Sequence, residues 1–116
     1  MASQVQELLK ALNTSAGIQQ SVIVGRDGFV IEHLGGMDAD GVGATVSTCI
    51  GAVEAMARDT NQGGLFEVMA EYKDGTIIAA PVGRDAVLGI VADGTANLGS
   101  IRHAVKKSLR DLERVL

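Results

Sequence analysis

Hydrophobic and polar positions change their period several times along the chain, and each change marks a new element. Val5, Leu8, Leu9 and Leu12 share one face of a short helix, with Ser3 as its N-cap and Asn13-Thr14-Ser15 with Gly17 as its stop. The pattern then shortens. Ile18 to Gly25 holds the apolar run Val22-Ile23-Val24, and a second run, Phe29 to Leu34, follows after Arg26-Asp27-Gly28. Asp-Gly between two β-branched runs predicts an antiparallel hairpin.

From Asp38 to Asn61 the period becomes helical. Val42, Val46, Cys49, Ile50, Val53, Met56 and Ala57 recur at spacings of three and four, which predicts one core-facing stripe. Asp38 or Asp40 can cap this helix, and at about 1.5 Å per residue it would run about 33 Å. Its other side carries Gly41, Gly43, Ala44, Thr45, Ser47, Thr48, Gly51, Ala52 and Ala55, so it is small and uncharged. Gly43, Ser47 and Gly51 stand four apart in one row. A glycine inside a helix costs about 1 kcal/mol against alanine, and a row of small side chains lets another backbone come close. The expectation is that a second helix packs on this row.

After Gln62-Gly63-Gly64, Leu65 to Tyr72 reads as a strand with Glu67 and Glu71 on one face and Phe66, Val68 and Tyr72 on the other. Thr76 to Val82 and Ala86 to Ala92 follow, separated by Gly83-Arg84-Asp85. Ile77-Ile78-Ala79-Ala80 and Val87-Leu88-Gly89-Ile90-Val91, like Val22-Ile23-Val24, are apolar on both faces, as strands covered by helices on both sides are. Strands one, four and five are therefore expected inside a five-stranded antiparallel sheet, with strands two and three at its edges. Pro81 falls near the end of strand four, where a missing donor is tolerated. Asn97 caps a last helix whose apolar face is Leu98, Ile101, Val105, Leu109, Leu112 and Leu116, and Lys106, Lys107, Arg110 and Arg114 suit its C-terminal half through the helix dipole. The fold class expected is α+β in the order α-β-β-α-β-β-β-α, one domain over residues 1–116, with the long helix on one sheet face and the two terminal helices on the other.

Composition narrows the function. Apolar residues make up 47% and charged residues 21%, the balance of a globular chain. The net charge of −4, with ten basic residues spread along the sequence, offers no basic patch, and only Phe29, Phe66 and Tyr72 could stack on bases. Both points argue against nucleic acid. No run approaches the roughly 20 apolar residues of a membrane span, and MASQVQELLKAL has neither a basic start nor a cleavage site. The expectation is a cytoplasmic protein without membrane insertion. Cys49, the single cysteine, falls on the predicted core stripe as a small hydrophobe.

Taken together, VIVGRDGFVIE in the first hairpin, the Gly/Ala-rich long helix, the double strand IIAAPVGRDAVLGIVAD and NLGSIRHAVKK at the start of the last helix make the chain resemble the roadblock family. These are the dynein light chain roadblock-type domains, also found in bacteria and archaea beside small Ras-like GTPases. The resemblance covers nearly the whole chain. It implies a homodimer in which the long helices pack side by side and the third strands pair into one sheet, and a role in scaffolding or regulating a Ras-like small GTPase. Gly43, Ser47, Gly51 and Glu54 are the candidates for the helix seam and its rim, and Phe66, Val68, Ala70 and Tyr72 for the pairing strand. An edge strand beginning Leu65-Phe66-Glu67-Val68 is one that pairing would hide.

Catalytic chemistry is not indicated. The sequence has no G-x-x-x-x-G-K-[ST] and no H-E-x-x-H. His33 and His103 stand alone without a second cysteine to complete a zinc set, and Ser21, Ser47, Ser100 and Ser108 lie in no triad motif. No cofactor or metal is expected. Arg26, Arg58 and Arg84 sit at predicted element ends, from which an arginine can reach a partner's phosphate, although a regulator can equally act by positioning switch loops. Two other readings fit the same fold: a small-molecule-sensing domain, and a purely structural subunit of a larger assembly.

Overall fold

In the computed structural model, which describes residues 3–116, the elements are α1 (Gln4–Asn13), β1 (Ile18–Gly25), β2 (Val30–Gly35), α2 (Ala39–Thr60), β3 (Val68–Tyr72), β4 (Gly75–Val82), β5 (Ala86–Asp93) and α3 (Leu98–Val115). The order is the expected one. Each helix starts on the cap its sequence offers: Ser3 accepts from the Gln6 N–H at 3.0 Å, Asp38 from Gly41 at 3.0 Å and Asn97 from Ser100 at 3.0 Å. Helix α2 ends on Asn61 in the left-handed conformation at φ 57°, a residue type that tolerates it.

The strands form one antiparallel sheet in the order β2-β1-β5-β4-β3, so the three strands apolar on both faces are internal and the two charged ones are edges. Strand β3 starts later than its hydrophobicity suggests. Val68 stands opposite Ala79, and continuing that register would bring Phe66 opposite Pro81, which has no N–H to give. Leu65 to Glu67 therefore lie outside the sheet, and Phe66 is not part of the edge strand as expected.

Alternate side chains enter two separate cores. Ile23, Ile78, Leu88 and Ile90 pack with Leu9 and Leu12 of α1 and Ile101, Val105 and Leu112 of α3. On the other face, Val24, Ala79 and Val87 pack with Val46 and Ile50 of α2. The second core is much the smaller. At its centre Gly89 of β5 leaves room for the helix: a Cβ there would lie 3.0 Å from Val46 Cγ2 and 3.1 Å from Val22 Cγ1.

Candidate functional site

Helix α2 is rotated relative to the expectation. Gly43 and Ser47 are buried inside the chain, and Cys49 and Met56, placed on the core stripe by their spacing, are exposed. The small-residue row does receive a close neighbour, but that neighbour is the first hairpin of the same chain. A Cβ on Gly43 would stand 2.8 Å from Val30 Cγ2 and 3.3 Å from Val24 Cγ2. Two residues of the turn follow along the same line. The Ser47 hydroxyl lies 3.2 Å from the Gly25 carbonyl and 3.3 Å from that of Arg26, either of which accepts its proton. Further on, the Arg26 guanidinium grips both Glu54 carboxylate oxygens, the Nη2–Oε2 contact being 3.2 Å. Gly43, Ser47 and Glu54 are thus brought together as a clamp on the hairpin. Gly51 is not part of it: it is exposed, with open space where a side chain would stand.

The hydrogen bond from Arg26 holds the Glu54 carboxyl below its ordinary range, helped by the charges of Arg26 and Arg58 and opposed by partial burial. The same bond raises Arg26. A carboxyl depressed by folding stabilises the fold above its unfolded value, about 4.3 for glutamate, and that contribution is lost as pH falls through the lower folded value. Glu54→Gln should therefore cost about 0.2–1 kcal/mol near neutral pH, the range for a partly exposed ion pair. Urea midpoints should show the gap between variant and parent closing as the pH is taken down through the acid range. A gap constant with pH would show that the pair contributes nothing through its charge.

On the outer side, Thr45, Cys49 and Met56 of α2 follow one line at spacings of four and seven. Thr45 and Cys49 form one wall of a shallow groove whose other wall is Val68, Ala70 and Tyr72 of β3, with Ile77 and Ala79 beneath. Three of the residues expected at the pairing strand are thus brought to one surface with the helix. Met56 and Tyr72 are each 62% exposed, and among the described residues β3 is a sheet edge with no strand beyond it. Phe66 stands apart, 85% exposed, beside Val105 and Leu109 of α3 on the other side of the sheet. The sequence pattern put Thr45 on the outer side but Cys49 and Met56 on the core stripe, so the outward row that the three share was missed.

Of the three arginines at element ends, Arg26 is held by Glu54, while Arg58 and Arg84 are exposed. His33 and His103 are exposed and far apart in the fold, one on an edge strand and one on α3. Among the described residues, no group of three or more His, Cys, Asp or Glu side chains converges as metal ligands would, and no helix is long and apolar enough to cross a membrane.

Comparison with known proteins agrees with this architecture. An uncharacterised protein of Methanocaldococcus jannaschii is 33% identical over 111 residues, which is 94% of this chain and 96% of that one. A second from the same organism is 35% identical over 106 residues, covering 90% and 92%. Among solved structures, Myxococcus xanthus MglB superposes with a TM-score of 0.90 at 18% identity, over 97% of this chain and 94% of that chain. A Roadblock/LC7 domain from Streptomyces avermitilis gives 0.89 at 17% identity, over 97% of each. At such identities the likeness is one of fold. Residues 4–92 match the Roadblock/LC7 domain family, and with curated relatives a third identical over nearly their whole length, the chain belongs to that family.

Proposed function

We propose that this chain acts as a non-enzymatic homodimer that binds a Ras-like small GTPase and regulates or scaffolds it. The observation that carries the reading is the continuity of the outer side of α2 with the free edge of β3. An unpaired edge presents a row of N–H and C=O groups to a second strand. A two-fold axis beside β3 would join two five-stranded sheets and bring the outer sides of two α2 helices together, each contact occurring twice. Ala44, Thr48, Ala52 and Ala55 on that side are short enough for close approach, and Met56 and Tyr72 supply apolar area to cover. The paired helices would then form a broad face on which a GTPase can be held.

Regulation in this reading works by positioning the partner's switch loops, which needs no catalytic residue from this chain. Arg26 is engaged by Glu54 in the single chain. Membership of the Roadblock/LC7 family supports this choice of partner class and of a dimer, and this chain has a surface that suits them. Light scattering across a dilution series tests the first step: the expected mass is twice the 12.0 kDa of one chain, falling only at high dilution. The second step is read by titrating the protein against a Ras-like GTPase from the same genome in its GDP and GTP forms. A monomer at every concentration, or equal indifference to both nucleotide forms, would refute the proposal.

A further inference from the structure

The charges of this protein are segregated, contrary to the even spread read from the sequence. Five of the ten lysines and arginines lie on α3, with only two of the 14 acidic residues. The rest of the chain therefore has five basic against twelve acidic residues. On α3, Arg102, Lys106, Arg110 and Arg114 succeed one another every four residues, and His103 and Lys107 flank them, so all six fall on one solvent-facing arc. Every one of the six is exposed. The apolar arc of the same helix, with Ile101, Val105 and Leu112, is buried on the sheet.

We infer that the solvent-facing arc of α3 is a docking surface for a bilayer rich in anionic lipids, on which the protein lies without crossing it. Three observations point to a lipid surface and away from an acidic polypeptide seated in a groove. The groove beside the arc, between Phe66 and α3, is lined by Lys106 and Arg110 and equally by Glu67 and Glu113, with Val105 and Leu109 between them, so its charges balance and the groove itself gives an acidic segment no net attraction. Glu67 is recessed, its side chain only 12% exposed, and is paired with Arg102 at 3.2 Å. A broad surface touches only the outermost groups, and on this arc those are five lysines and arginines and a histidine, with Glu113 the one exposed carboxylate among them. Long basic side chains suit such a contact because their stems can lie along the surface while the charged ends reach phosphates. Phe66, 85% exposed at the margin, is the kind of side chain that enters the headgroup region next to basic residues.

The overall charge of −4 does not oppose this. Helix α2, with Asp40, Glu54 and Asp59, lies on the opposite face of the sheet. Even the shortest dimension of the molecule is 25 Å, about three Debye lengths at physiological salt. A membrane at α3 therefore meets the local charge and not the net charge. The same separation leaves α2 and the edge of β3 free, so the inference does not depend on what those bind.

Co-sedimentation of the full chain with vesicles tests it, using phosphatidylcholine alone and phosphatidylcholine with about one-third phosphatidylserine. Binding should be confined to the anionic vesicles at low salt and should disappear at about 0.5 M salt, where screening is stronger. Lys106→Glu with Arg110→Glu should weaken it about tenfold or more. Lys73→Glu with Arg58→Glu, the same change of net charge on a hairpin turn and on α2, should leave it unchanged. Circular dichroism checks that both variants fold, and Lys106→Gln with Arg110→Gln replaces the first if it does not. Equal binding to both vesicle types overturns the proposal. So does equal loss in both double variants, or binding of poly-L-glutamate with none to phosphatidylserine vesicles.

Discussion

Gly43→Leu should lower the free energy of unfolding by about 1–3 kcal/mol, the usual cost of forcing a side chain into packed space, whereas Gly51→Leu should leave it level or raise it by up to about 1 kcal/mol. The two glycines sit in the same helix and were read from the sequence as members of one row. Their surroundings are opposite. A Cβ on Gly43 meets Val30 at 2.8 Å and Val24 at 3.3 Å, both on the first hairpin, and the rest of a leucine would have to lift α2 from the sheet. At Gly51 nothing lies within 4 Å, so leucine there improves helix propensity at no local cost. Urea unfolding of the two variants and the parent, at a protein concentration low enough for all three to be monomeric, decides the matter. A parent-like midpoint for Gly43→Leu would mean that α2 does not rest on the hairpin in this way.

The second large effect belongs to the outer surface. Cys49→Glu should raise the dimer dissociation constant by at least about a hundredfold, because burying a charge with no partner costs about 3–5 kcal/mol. The chain itself should tolerate the change. Cys49 is exposed, and glutamate is a better helix former than cysteine. Light scattering on dilution, with circular dichroism as a check on folding, separates the two contributions. A variant as dimeric as the parent would move the interface away from the groove between α2 and β3. Gly51→Leu gives a second reading of the same surface: as a residue with open space around it, any loss of dimer there arises between chains.

Much of the fold could be read from the residues because the signals were physically distinct. Strands apolar on both faces had to be internal, and those carrying Glu32 and Glu71 had to be edges. Caps at Ser3, Asp38 and Asn97 marked the helix starts. The orientation of α2 was not legible. Glycine, alanine, serine and threonine suit a buried face and an exposed one equally well, and a stripe of valines and isoleucines fixes a helix's rotation only when the opposite side is charged. What settles the rotation is the hairpin turn, through the carbonyls of Gly25 and Arg26 and the guanidinium of Arg26, and no local pattern announces such a contact between positions more than twenty residues apart. The start of β3 failed for a similar reason, since its limit is set by Pro81 on the neighbouring strand. The basic arc of α3 was hidden by averaging: a net charge summed over the chain cannot show that one helix holds half of the cations.

The two cores are unequal, and this bears on the order in which the protein comes apart. Among the described residues, the buried apolar cluster beneath α2 has five members, against thirteen on the face of α1 and α3. Opening is therefore cheapest along the α2 layer, which can peel back while the sheet and the terminal helices stay assembled as a separate cooperative unit. In a single chain, amide hydrogens of α2 should exchange with solvent ahead of those of β1 and β5. Whatever covers the outer side of α2 would close that gap, so the slowing of exchange in this one helix measures how firmly the protein is held by its partner.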